Sequence, residues 1–185
     1  MIQSFNGFTP WVHPQSYVHP TAVLIGDIVI HENVFIGPGA VLRGDLGPII
    51  VGKGSNIQDN CVVHTFPNEK VQLGQNAHVG HSCVVHGAQL KDNCLIGIQS
   101  VLLDGAIIGA GSIVGACSLV LQNQKIDSEH LCYGKPAKVI RRLTQEELNW
   151  KKNGTEVYHQ LTAAYLDDSK DAEHTNLEFK HQRKK

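Results

Sequence analysis

The sequence predicts an all-β solenoid, a parallel β-helix of hexapeptide repeats closed by a C-terminal α-helix. Three observations carry this. An aliphatic residue recurs every six positions, first at Val18, Leu24, Ile30, Ile36 and Leu42. A small residue stands four places after most of them, as at Ala22, Ala40, Cys61, Ala77, Cys83, Cys94, Ser100 and Ser112. Glycine often follows the aliphatic residue directly, as at Gly37, Gly52, Gly74, Gly80 and Gly97.

A period of six does not fit a helix, which needs apolar residues every three to four positions. It fits a short strand followed by a corner, repeated as a solenoid. The aliphatic residue points inward and its successor outward, because strand side chains alternate. The series runs on through Val51, Ile57 and Val63, then Leu73, Val79 and Val85, then Leu90 to Val120. The register slips at nine residues between Leu42 and Val51, ten between Val63 and Leu73, and five between Val85 and Leu90. Insertions in a solenoid emerge as surface loops. Two loops are therefore expected, Arg43 to Pro48 and Thr65 to Lys70.

The chain divides into an N-terminal segment (1–17), the β-helix (18–143), a helix (144–168) and a polar tail (169–185). Thr144 and Glu147 form a capping box, a side-chain exchange that opens a helix. Leu148, Tyr158, Leu161 and Tyr165 are the expected packing residues, and Asn153-Gly154 an expected kink. The helix is expected to run along the solenoid and shield a strand edge. The tail reads as disordered by composition.

Sixteen basic against seventeen acidic residues leave a net charge of −1 and a pI near 6.8. That balance argues against nucleic acid or a membrane surface as a partner. No apolar run is long enough to span a bilayer, and the N-terminus lacks a signal pattern, so a cytoplasmic location is expected. Of five cysteines, Cys61, Cys83 and Cys94 occupy the small-residue slot and read as buried structural thiols.

Hexapeptide proteins, which this chain resembles, place three repeats in each triangular turn. Residues three repeats apart are then stacked neighbours about 4.8 Å apart. Arg43, His64 and His86 each directly follow an inward aliphatic residue, in repeats three apart. They should stack on one outer face. Asp59 and His81 sit two places after the aliphatic residue and stack on another. His81 could join His64 and His86 only from a neighbouring subunit, as in a homotrimer with abutting faces. Three imidazoles and a water make a catalytic zinc site, whose bond lengths imply ligand nitrogens about 3.3 Å apart. Spacing alone leaves open that all three are surface histidines, as His13, His19, His31, His78, His130, His159, His174 and His181 are read to be.

Arg43-Gly-Asp45, Asn56-Ile-Gln58-Asp59-Asn60, His64, Gly80-His81, His86 and Tyr133-Gly-Lys-Pro-Ala-Lys138 together resemble the γ-class carbonic anhydrase family. The likeness runs from about Pro10 to Leu166. His19-Pro-Thr-Ala-Val-Leu-Ile-Gly-Asp27 and Leu148-Asn-Trp-Lys-Lys-Asn-Gly-Thr155 are similar to its phenylacetate-degradation and carnitine-operon branch. The resemblance implies a left-handed β-helix trimer with zinc, or another divalent metal such as iron or cobalt, between subunits. It implies His64, His81 and His86 as ligands and an Arg43–Asp45 pair bridging subunits. It implies Gln58 as the residue bonding the metal-bound water, and Tyr133 as a pocket wall. Asn56 and Asp59 become groups behind the ligands or at the interface.

Zinc-bound water ionises near pH 7, giving a hydroxide nucleophile. Two reactions fit, hydration of CO₂ and hydrolysis of a coenzyme A thioester. The resembled carbonic anhydrases carry a glutamate after Arg-x-Asp and a long acidic loop that shuttles protons. Here Leu46 fills that place, and Glu69 is the one carboxylate in the short loop after His64. Fast CO₂ hydration needs a proton exit at every turnover. A thiolate leaves without such help, so the reading favours a thioesterase on acyl-CoA, with aromatic acyl groups foremost. The alternatives are a carbonic anhydrase, a hexapeptide acyltransferase using one histidine without zinc, and a trimeric assembly subunit without catalysis.

Overall fold

A computed structural model describes residues 1–169, so the tail from 170 to 185 lies outside the described residues. The chain forms a parallel β-solenoid of about seven turns with one C-terminal helix, as the period predicts. From Asn56–Ile57 onward each short strand pairs with the third strand after it, as His78–Val79 does with Leu95–Ile96 and Leu95–Ile96 with Ile113–Val114. Three strands per turn make three faces.

The six-residue series supplies the core. Leu24, Ile36, Leu42, Val63, Val85, Ile96, Leu102 and Val120 are fully buried, with the small corner residues Ala22, Ala40, Cys61, Ala77 and Cys83 beside them. Removing a Leu or Ile side chain from water contributes roughly 1.5–3 kcal/mol. The inward series continues past Val120 to Ile126 and Cys132. Strand pairing also starts earlier than Val18: Ile2–Gln3 and Trp11–Val12 both pair in parallel with Val23–Ile30. Corners recur with asparagine in the left-handed region, at Asn33, Asn60, Asn76, Asn93 and Asn123 (φ 54–59°). Among residues other than glycine, asparagine takes that conformation readily.

Arg43 to Pro48 does not form the expected loop. The backbone stays extended from Val41 to Val51 and runs alongside Val23–Ile30 with one bulge between Gly26 and Ile28. Two faces thus merge into a twelve-stranded sheet, while the third is an eight-stranded one. Two glycines permit the close passage. A Cβ on Gly26 would stand 2.5 Å from the Gly44 carbonyl oxygen, and one on Gly44 would stand 2.3 Å from that of Asp27. Thr65 to Lys70 does leave the sheets as a loop.

The helix, α1, spans Gln145–Asp168 and opens with the expected capping box. It is unbroken at Asn153-Gly154. Its buried residues are Lys151, Thr155 and Thr162 rather than Leu148 and Leu161, which are half-buried. The cause is the surface beneath it, which offers backbone acceptors and aromatic rings. Lys151 Nζ donates to the Asn76 carbonyl oxygen, and the ring of Tyr165 lies 4.7 Å from that of Tyr17. Phe35 packs within 5.6 Å of both Tyr158 and Tyr165, so the helix covers the eight-stranded face rather than an edge alone. No helix among the described residues is long and apolar enough to cross a membrane.

Candidate metal-binding site

His64 ends the strand Val62–His64, and His86 ends the strand Val84–His86 one coil on. The two residues are paired in register. Both side chains point outward because each follows a buried valine, Val63 or Val85. His64 Nδ1 lies 3.2 Å from His86 Nε2.

Two carboxylates decide what that approach means. His64 Nε2 is 3.0 Å from Asp45 Oδ1, and His86 Nδ1 is 2.6 Å from Asp104 Oδ1. A carboxylate only accepts hydrogen bonds, so each of these ring nitrogens carries the hydrogen. In a neutral imidazole the other nitrogen is then a lone pair. The lone pairs of His64 Nδ1 and His86 Nε2 therefore face each other. Such a pair repels unless a proton or a metal cation lies between the rings, and 3.2 Å matches the span between two nitrogens on one zinc. Arg43 does not disturb this arrangement. Its Nη2 is 3.1 Å from His64 Nε2 and 3.5 Å from Nδ1. With the Nε2 hydrogen given to Asp45, that nitrogen has no lone pair for the guanidinium, which pairs with Asp45 instead. The residues present thus fit a divalent metal.

His81 is elsewhere in the chain. It sits in the corner after His78–Val79 on the eight-stranded face, with Nδ1 2.7 Å from Asp59 Oδ2. Donation to Asp59 leaves Nε2 as its lone-pair nitrogen, on a side chain 45% exposed. Among the described residues no three potential ligands converge within one chain.

Arg43 and Asp45 pair within the chain, Nη1 to Oδ2 at 3.3 Å. They are two apart on one extended strand and so project to the same side. Asp45 also borders a cleft of about 570 Å³ with Phe5, Phe8, Asp27, Leu46 and Lys70. Gln58 is buried, its Nε2 3.1 Å from Asn56 Oδ1 and 2.5 Å from His78 Nε2. Its amide is engaged by these neighbours on the His81 side, away from the His64–His86 pair. Tyr133 lies three strands beyond His78–Val79 on the same sheet, over Gly115, and is 52% exposed. The structure does not bring it to the histidine pair within one chain.

Three contributors escape a reading by motif. Asp104 escapes repeat counting, because the slip after Val85 shortens this turn to 17 residues, pairing Val85 with Leu102 and making Leu103 the counterpart of His86. Phe66, in the loop after His64, sets its ring edge-on 4.9 Å from that of His86 and walls the pair on one side. His78 is not a surface residue. Its ring meets that of Tyr158 edge-on, 5.1 Å between centres, and burial, with Lys151 and His81 adding repulsion, pushes its pKa down to about 4. His159 is likewise engaged, with Nε2 3.0 Å from the Gly54 carbonyl oxygen.

Comparison with known proteins agrees with this architecture. The family described as "Bacterial transferase hexapeptide (six repeats)" matches residues 9–44 and 87–122. The chain is 43% identical over 158 residues to the carnitine operon protein CaiE of Escherichia coli K12, covering 85% of this chain and 81% of that one. A hexapeptide transferase family protein from Anaplasma phagocytophilum superposes with a TM-score of 0.86 at 36% identity, over 89% of this chain and 97% of that one. An acetyltransferase candidate from Bacillus cereus superposes at 0.88 with 34% identity, over 89% and 96%. With such identity along most of both chains, the protein belongs to the hexapeptide-repeat family, in the γ-class carbonic anhydrase-like branch that includes CaiE.

Proposed function

We propose that this protein is a homotrimeric, metal-dependent hydrolase of coenzyme A thioesters. Its divalent metal, zinc or else iron or cobalt, is held by His64 and His86 of one subunit and His81 of the next. The observation that carries the reading is the 3.2 Å approach of two lone-pair nitrogens, each fixed by a carboxylate behind it. A metal in that position supplies a Lewis acid that polarises a carbonyl and acidifies water.

The chain's own residues prepare the site. Asp45 and Asp59 hold the Nε2–H of His64 and the Nδ1–H of His81, turning the other nitrogen of each ring outward. The Arg43 guanidinium balances the Asp45 charge. Phe66 keeps water from one side of His86. Leu46, exposed beside Asp45, offers no proton relay. Hydration of CO₂ depends on such a relay, whereas a thioester expels a thiolate without one. Aromatic acyl-CoA, as in phenylacetate catabolism, is the substrate class proposed.

The neighbours described as transferases support a second reading, acyl transfer from coenzyme A. One parallel assay on metal-quantified protein separates the readings. Aromatic acyl-CoA hydrolysis that follows metal content supports the thioesterase. Metal-dependent CO₂ hydration with intact acyl-CoA would replace it with a carbonic anhydrase. Acyl transfer to an added acceptor that survives chelation would replace both.

A further inference from the structure

We propose that Asp104 is the positioning residue that makes His86 a ligand, by fixing which of its ring nitrogens faces His64. The inference deepens the proposed metal-site reading and rests on it for its metal-binding consequence. Its geometric core stands without it.

Asp104 Oδ1 lies 2.6 Å from His86 Nδ1, the shorter of the two carboxylate contacts on the pair. Both side chains are 23% exposed, so water competes weakly for the bond. The path between them is open for a specific reason. Gly87 follows His86 with φ +57°, and a Cβ there would stand 2.3 Å from Asp104 Oδ1. Glycine at 87 thus leaves the space through which the carboxylate reaches back to the ring. Gly105 then donates its N–H to the Gly87 carbonyl oxygen at 2.9 Å, which pins the Asp104 corner onto the coil bearing His86.

The consequence is chemical. An imidazole free in water exchanges its single hydrogen between its two nitrogens. Against Asp104 the hydrogen stays on Nδ1, because a carboxylate cannot donate. Nε2 is then the lone pair, and Nε2 is the atom 3.2 Å from His64 Nδ1. With the opposite tautomer, His86 would present an N–H to His64 and could hold no cation there. Groups behind a metal's ligands commonly change affinity by about 10–100-fold when removed.

Asp104→Asn tests this, since the amide keeps the shape but can donate to Nδ1 and stabilise the wrong tautomer. Asp104→Ala removes the partner altogether. Two measurements on the intact trimer separate the questions. The first is ¹⁵N NMR of histidine-labelled, metal-free protein at mildly alkaline pH. Wild type is expected to show Nε2 of His86 as the unprotonated nitrogen, and both variants a shift towards the other tautomer. The second is zinc affinity by competition with a chromophoric chelator, expected to fall by about 10–100-fold in both variants. An unchanged His86 tautomer in both variants would overturn the role of Asp104, whatever the metal does. Unchanged zinc affinity despite a shifted tautomer would overturn its bearing on the metal. A wild type with the expected tautomer but no zinc binding would sink the metal reading and leave the positioning role standing.

Discussion

His64 Nδ1 and His86 Nε2 face each other across 3.2 Å on adjacent coils, with a carboxylate behind each ring. A solenoid puts equivalent residues of successive turns about 4.8 Å apart at the backbone. Two imidazoles tilted 63° to each other from such positions bring one nitrogen of each to the distance one cation needs.

Replacing either histidine should empty the site without unfolding the coil. His64→Ala and His86→Ala are expected to lose at least about 100-fold in zinc affinity, beyond the usual effect of groups behind the ligands. Circular dichroism should stay that of wild type, because both rings stand outside the aliphatic core. Elemental analysis after gel filtration checks it. Wild-type zinc content in either variant would place the metal elsewhere.

The proposed sharing of His81 between subunits predicts complementation. His81→Ala and His64→Ala subunits should each form trimers without complete sites. In a mixed cyclic trimer, one boundary joins an intact His64–His86 pair to an intact His81. Mixed trimers purified by two different tags should therefore regain about one third of wild-type metal. No recovery in the mixture would mean that the three histidines do not share a site across subunits.

Gly26 and Gly44 should be among the costliest glycines to change. Gly26→Ala would press a Cβ into the Gly44 carbonyl at φ +79°, and Gly44→Ala would press one into the Asp27 carbonyl. Backbone atoms cannot give way as a side-chain tip can. A loss of about 2–3 kcal/mol each is expected from strain and overpacking together. Denaturant melts would read it as a lowered midpoint. Gly154→Ala, which meets nothing within 4 Å, is the control and should not destabilise.

Acid should weaken the fold through His78. Burial holds its folded pKa near 4, below the ordinary value of 6.5. Between pH 6.5 and 4 the unfolded chain binds a proton that the folded chain does not, so stability falls as pH drops through that window. The loss should total about 2–3 kcal/mol. His78→Gln, which keeps a polar partner for Gln58, should flatten that part of the pH–stability curve. An identical slope in the variant would assign the acid response to other groups.

Much of the site was legible because a hexad locks the direction of every side chain. Val63 and Val85 being inward forces His64 and His86 outward, one above the other. The same counting puts His81 over Asp59, and their 2.7 Å contact follows from it. Corners and rings were less legible. The residues from Arg43 to Pro48 carry no local mark separating a loop from an extended crossing. The crossing depends on Gly26, a full turn earlier, leaving room for Gly44. Nothing in the helix sequence marks the Asn76 carbonyl that lies beneath Lys151.

The sequence by itself determined the period, the inward residues, the capped helix and the stacking of Arg43 under His64 under His86. These depend on local geometry, which repeats with the chain. Only the tertiary structure decided which nitrogens of His64 and His86 meet, that Asp104 stands behind His86, and that His78 is half-buried against Tyr158. Those facts depend on distances between turns and on ring orientations. Side chains from separate coils settle them together, and no single stretch of sequence encodes them.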